Sequence, residues 1–176
     1  MNNVDRQPTL TDGPITLRPL LENDRADLFK AARDPLTWAG HPASNRYQPD
    51  IFNPYFDSLL ASRETLVVVL NDHIIGCSRF YTPDEDADGI AIGFTFVSHD
   101  HWGGTINRQM KTLMLSHAFK TVTSIWFHIA PTNIRSQKAT AKLGAQFVTQ
   151  KAVTVAGKTD EWLCYQLSKN DWAAQR

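Results

Sequence analysis

Residues 90–119 read "IAIGFTFVSHDHWGGTINRQMKTLMLSHAF", and the fold turns on this stretch. Positions 90–97 are apolar, β-branched and aromatic, which suits a strand. Gly93 inside that run marks a bulge or a close backbone approach. From Ile106 onward, Ile106, Met110, Leu113, Met114 and Ala118 fall at helical spacing, with Phe119 next. The connection carries two histidines around an aspartate, then Trp102, Gly103, Gly104 and Thr105.

Such a junction is either an ordinary tight turn or a backbone cleared so that something can sit against the helix start. The first turn of a helix leaves four N–H groups without intrahelical partners, and the macrodipole makes that end attractive to anions. Gly103 and Gly104 keep side chains out of the way, and Thr105 adds a hydroxyl donor. Arg108 and Lys111 are expected to place positive charge beside the same site. No Gly-Lys-Ser/Thr follows, so this is not a Walker loop, and it is not a GxGxxG fingerprint.

Working outward, "ITLRPL" (15–20) reads as a strand, and "ENDRADLFKAARD" (22–34) as an amphipathic helix ended by Asp34-Pro35. Residues 35–49 form a loop whose Trp38, His41 and Tyr47 either present a binding surface or pack on the core. Residues 50–63 look helical after Pro54. "TLVVVLNDHIIGCSRFY" (65–81) is two β-rich runs joined at Asn71-Asp72, a hairpin signal. "PDEDADG" (83–89) reads as a solvated acidic turn without the ligand spacing of a calcium loop.

"SIWFHIA" (124–130) suits a strand covered on both faces. The helix over 133–144 opens at Asn133 as N-cap and closes at Gly144. Two strand-like runs follow, with Gly157 between them. The order β-α-α-β-β-β-α-β-α-β-β predicts an α/β (α+β) fold with local hairpins and a crossover. Residues 1–12 read as a flexible tail, and residues 13–176 as one domain.

Bulk composition narrows the function classes. The chain has 176 residues, 42% hydrophobic and 20% charged, with eighteen basic against eighteen acidic side chains. That balance gives no support for a nucleic-acid or anionic-membrane partner. Cys77 and Cys164 lie in apolar runs and read as buried free thiols. The start shows no secretion signal and no run reaches membrane-span length, so a cytoplasmic location is expected.

Three segments, "ITLRPLLENDRADLF", "WGGTINRQMKTLMLSHAF" and "NIRSQKATAKLGA", taken with their order and the final "DEWLCYQLSKNDW", resemble the GNAT superfamily of acetyl-CoA-dependent N-acetyltransferases. The nearest likeness is to the RimJ/RimL-like branch. The resemblance implies a mostly antiparallel central sheet of about seven strands, flanked by helices and splayed at the cofactor site. It implies that acetyl-CoA, as acetyl donor, rests its pyrophosphate on the turn Trp102, Gly103, Gly104, Thr105, Ile106, Asn107, with Arg108 beyond. Thr105 and Asn107 depart from the family's small residues there.

By the same resemblance, Phe96 and Val97 pair with the pantetheine arm, Asn133 contacts the cofactor, and Ser136 lies near the thioester sulfur. Trp38, His41 and Tyr47 are where the acceptor amine would be selected. A homodimer is open for this branch, with no membrane or nucleic-acid partner expected. The family's frequent tyrosine falls at Thr140 and its frequent glutamate near Ala91, so neither group is present.

Chemically, the reading is direct attack of a neutral amine on the thioester in a ternary complex, with no metal. A backbone N–H at Phe96–Val97 would hold the oxyanion. Ser136 would serve the departing thiolate, the one side chain expected to act catalytically. His99, His101 or Asp100 could act as base through water. His99 and His101 could instead be a metal pair, the basis of a hydrolase reading. An acyl-CoA-binding module without catalysis is the main alternative. His117 and His128 read as satisfied core histidines.

Overall fold

The computed structural model describes residues 3–155 and 157–175. Eight strands form one sheet: β1 (Leu10–Asp12), β2 (Ile15–Pro19), β3 (Thr65–Leu70), β4 (His73–Tyr81), β5 (Ala91–Val97), β6 (Ser124–Ile129), β7 (Gln146–Val155) and β8 (Lys158–Ser168). Their spatial order is β1-β2-β3-β4-β5-β6-β8-β7. Every neighbouring pair is antiparallel except β5 with β6. This is the mixed, mostly antiparallel sheet expected, with one strand more than the sequence signalled.

The Asn71-Asp72 turn joins β3 to β4 with both residues at positive φ, 47° and 67°, the geometry that matches the twist of a two-residue hairpin. Among the described residues five α-helices accompany the sheet: α1 (Arg25–Ala32), α2 (Pro49–Ser62), α3 (Ile106–Ala118), α4 (Ile134–Ala141) and α5 (Lys169–Ala174). Helix α2 begins five residues before Pro54 and carries that proline inside. Pro49 at its first turn explains the earlier start, since a missing N–H costs nothing there.

Alternation along the strands sends side chains to two faces. Leu66, Val68, Phe80 and Ile92 pack with Met110, Met114, Leu115 and Ala118 of α3. On the other face, Val67, Cys77 and Phe96 pack with Leu28, Phe52, Phe56 and Leu59 of α1 and α2. Farther along that second face lies a smaller cluster of Tyr81, Ala91, Trp126, Val153 and Cys164. Both cysteines are buried free thiols, as expected.

Of the segment expected as a flexible tail, residues 1–2 lie outside the described residues, and several of residues 3–12 make specific contacts. Val4 is buried against the α3-side core, and Arg6 pairs with Glu64 and donates to Thr82 Oγ1. Residues 10–12 pair with β2. His117 Nε2 lies 2.7 Å from the Asp5 carbonyl, so its partner is the amino-terminal segment. No periodic apolar signal marks residues 3–12, because their apolar anchors, Val4, Pro8 and Leu10, are scattered among polar residues. No helix among the described residues is long and apolar enough to cross a membrane.

Candidate functional site

The site begins where two adjacent strands part. The registered partners between parallel β5 and β6 are Ala91 and Trp126 alone, although both strands continue for several residues. Pairing of β5 with β4 shifts between Cys77 and Arg79, and Phe94 sits at φ 51°. This bulge bends β5 away from β6. Beyond Ala91, the β6-facing edge of β5 has no registered strand partner among the described residues. The chain leaves the C-terminal ends of both strands toward helices, β5 to α3 and β6 to α4, the kind of crevice where open α/β sheets take ligands.

Helix α3 opens into this crevice. Gly103 has φ 77°, and a Cβ on either Gly103 or Gly104 would meet nothing within 4 Å. Thr105 is the N-cap, yet no side chain caps the helix and no acidic residue sits in its first turn. Its hydroxyl faces Gln109 Oε1 at 3.3 Å. Ile106 and Asn107 are half-buried, and Arg108 is exposed. The first-turn amides of α3 therefore have no side-chain cap, and the two glycines before them leave open space. Trp102 holds the turn by donating from Nε1 to the Val97 carbonyl at 2.8 Å.

Helix α4 approaches the same turn. The Arg135 guanidinium lies 3.4 Å from the Trp102 ring centroid, a cation–π contact that ties the two helix starts together. Asn133 accepts from the Ser136 N–H at 3.2 Å, so its side chain is an N-cap. Ser136 is half-buried in the first turn of α4.

Lys111 does not stand beside the α3 start as expected. Only 7% exposed, it reaches under β4 and β5, and its Nζ donates to Thr95 Oγ1 at 2.7 Å and Ser78 Oγ at 3.2 Å. Those hydroxyls also bond each other at 2.7 Å across the bulge. Burial pushes the Lys111 ammonium down to about 7. The helical period held the signal: Lys111 precedes Leu115 by one turn and Ala118 by two, on the buried stripe.

The 35–49 loop divides. Trp38 is 1% exposed, donates to the Ala32 carbonyl at 2.7 Å and packs 4.9 Å from Phe96, so it is core rather than an open binding face. Its large ring closes the gap over β5, which the loop composition did not reveal. His41 and Tyr47 are half-buried. His41 Nδ1 accepts from the Ala43 N–H at 2.9 Å. Burial, followed by the charges of Arg46 and Arg135, pushes that imidazole down to about 4, so it is neutral.

Metal-type donors cluster twice among the described residues: Asp34, His99 and Asp100, and Glu85, His128 and Cys164. His101 Nδ1 is bonded to Ser98 Oγ at 2.7 Å, which takes it out of a pair with His99. The second set overturns the solvated reading for Glu85, while Asp84, Ala87 and Asp88 of the same turn are exposed. Glu85 folds inward, 3.0 Å from His128 Nε2 and 3.3 Å from Cys164 Sγ. Lys151 Nζ stands 3.5 Å from its carboxylate. These groups satisfy one another and bring their own cation. The acidic turn carried no hint of this, because the partners are dozens of residues away.

A family profile for the acetyltransferase (GNAT) domain matches residues 15–146. No curated protein matches the sequence. Among solved structures, a probable acetyltransferase of the GNAT family from Chromobacterium violaceum superposes with a TM-score of 0.81 at 18% identity, over 98% of this chain and 91% of that one. Mycobacterium smegmatis RimJ in complex with CoA-disulfide gives 0.68 at 18%, over 93% and 87%. AAC(6')-Ib in complex with ribostamycin and coenzyme A gives 0.69 at 20%, over 92% and 97%.

Proposed function

Because the chain belongs to the acetyltransferase (GNAT) domain family, we propose that it is an N-acetyltransferase, moving an acetyl group from acetyl-CoA to a primary amine by direct attack in a ternary complex. The observation that carries this reading is the parting of β5 and β6 beyond Ala91 and Trp126, next to an uncapped, glycine-flanked α3 start. One opening admits an extended arm, and the other offers amides to a diphosphate.

In this reading the pyrophosphate rests on the turn from Trp102 to Asn107, with Arg108 at its rim. The pantetheine amides pair with the β6-facing edge of β5 at Phe96 and Val97, where the Val97 carbonyl already accepts from Trp102 Nε1 and offers its second lone pair. Asn133 and Ser136 flank the arm from α4, and Ser136 serves the leaving thiolate. A thiolate near the cysteine value of about 8.5 needs only a hydrogen bond or a late proton.

The acceptor is an α-amine of a peptide or protein, or a small-molecule amine, as in the RimJ/RimL-like branch. A solved neighbour that carries ribostamycin with coenzyme A supports the small-molecule part of that range, and one that carries CoA-disulfide supports the cofactor. His41 and Tyr47 line the acceptor side, with Trp38 bracing them from below. An α-amine near pKa 7.7–8.0 is roughly a tenth neutral at pH 7, and holding it against the thioester supplies much of the rate.

The second reading is an acyl-CoA-binding module, favoured by Ala91 and Thr140, which lack a carboxylate and a phenol. Incubating the protein with acetyl-CoA and an amine panel while reading free thiol separates the two. Amine-dependent CoA release is expected. Binding without release on any amine would leave the module.

A further inference from the structure

Ala91 carries no base, but the structure holds a linked set of proton-transfer groups one step beyond it. Tyr81 OH lies 2.7 Å from His128 Nδ1, and His128 Nε2 lies 3.0 Å from both Glu85 oxygens. With Nε2–H donated to the carboxylate, Nδ1 is left to accept from the phenol, as in the orienting pairs of acid–base histidines. Ion pairs alone do not explain this arrangement. The line of donors runs from the acidic turn, through β6, to the end of β4.

Its position is set by the splay. Register places Trp126 opposite Ala91, so His128 on β6 and Gly93 on β5 are the next residues on the same face where the strands separate. A Cβ on Gly93 would meet Tyr81 Cε1 at 3.0 Å and its hydroxyl at 3.4 Å. The missing side chain is therefore what lets Tyr81 reach across the mouth to His128. All three groups lie on the sheet face opposite α3, the side away from the proposed diphosphate turn.

We propose that Tyr81, His128 and Glu85 form the proton relay that serves the acceptor amine, an assignment that rests on the acetyl-transfer reading. The neutral amine attacks the thioester carbon and forms the C–N bond. The Tyr81 oxygen takes the nitrogen's surplus proton as its own proton passes to His128 Nδ1. The imidazolium so formed is paired with the Glu85 carboxylate. The C–S bond breaks with its electron pair on sulfur, the thiolate takes a proton from solvent, and His128 returns one to solvent.

The surroundings suit a relay. Burial, with the nearby Glu85 charge, pushes the Tyr81 phenol well above its ordinary value, Arg79 opposing, so Tyr81 passes a proton rather than storing a charge. Burial pushes Glu85 up, but its own backbone N–H, His128 and the Cys164 thiol outweigh this and hold it below the usual range. Cys164 on β8 and Lys151 on β7 complete the titratable groups facing the set, and burial keeps the Cys164 thiol protonated, up at about 12.

The test is steady-state acetyl transfer to amines of graded basicity across neutral pH, for wild type, Tyr81→Phe and Glu85→Gln. Tyr81→Phe is expected to lower kcat roughly 10²–10⁴-fold, the size of a lost acid–base group. Its KM for acetyl-CoA stays unchanged, and the deficit shrinks for weakly basic amines. Glu85→Gln, which removes the charge that pairs with the imidazolium, is expected to lower kcat in the same amine-dependent pattern, and it carries the test if the phenylalanine variant does not fold. Nitrogen NMR of His128 reads the relay without turnover: the Nε2–H tautomer is expected.

A transferring wild type with an unaltered Tyr81→Phe rate and pH profile overturns the relay alone, as does an Nδ1–H tautomer. A wild type that releases no CoA on any amine sinks the transfer reading and the relay with it.

Discussion

Ala91 and Trp126 are in register across the parallel β5–β6 junction of the sheet, and beyond them β5 and β6 have no further registered partners among the described residues. The crevice that follows from this divergence is bounded by the bulge at Phe94 on one side and by the two helix starts on the other. Its integrity depends on a few close contacts that can be broken singly.

Gly76 is one of them. A Cβ there would lie 2.1 Å from the Phe96 carbonyl oxygen and 2.9 Å from Val97 Cα, and both atoms are backbone. Gly76→Ala is therefore expected to push β5 off β4 at the bulge. Chemical denaturation should show a loss of about 2 kcal/mol or more, in the range of buried overpacking. A stability within a few tenths of wild type would contradict the packing described.

Lys111 gives a pH signature. Its folded value of about 7 lies below the unfolded value near 10.4, so between those limits the unfolded chain holds the extra proton. Stability then rises with pH across that window and is lowest below it. Lys111→Met removes the buried amine and leaves Ser78 and Thr95 bonded to each other. The variant is expected to be more stable at neutral pH, on the order of 2–4 kcal/mol, and to lose the rise. Parallel melting curves across pH check both points.

Asp24 works in the opposite sense. It accepts from both Arg18 terminal nitrogens and from the Leu21 N–H, each at 2.8 Å. Burial raises its carboxyl, but these bonds outweigh burial and hold it below the usual range. The stabilisation is present above the unfolded value of about 3.9 and disappears as pH falls through the folded one. Asp24→Asn should cost about 1–3 kcal/mol at neutral pH and flatten the acid limb of the stability profile.

Gly93→Ala tests the spacing behind the relay. The added Cβ meets the Tyr81 ring edge at 3.0 Å, and the ring must shift away from His128. Acetyl transfer should slow while the calorimetric affinity for coenzyme A is unchanged. An equal fall in both would place the disturbance in the cofactor groove instead.

Local signals made much of the fold legible. Asn71-Asp72 announced a hairpin, Asn133 a helix start, and the change of period after Gly104 a strand-to-helix crossover. These features are written in neighbouring residues. What was not legible depended on partners far along the chain. Glu85 looked like one acid among several in a polar turn until His128 and Cys164 came alongside. Trp38 could be either a surface aromatic or a core one until Phe96 packed on it. Residues 10–12 have too little apolar character to declare a strand without β2. For the candidate site, the glycines and the helix start could be read directly. The proton-bearing groups of β4, β6 and the acidic turn could not, because only the sheet order brings them together.

The account stands or falls on whether coenzyme A uses the α3 start. Gly104 has open space around it and no left-handed φ, so Gly104→Trp can fold normally while its ring covers the first-turn amides. Isothermal calorimetry of wild type and this variant with acetyl-CoA is the direct measurement. Binding to wild type and its loss in Gly104→Trp, at unchanged melting temperature, is the predicted result. Equal affinity in the two proteins would contradict it, as would no binding to wild type.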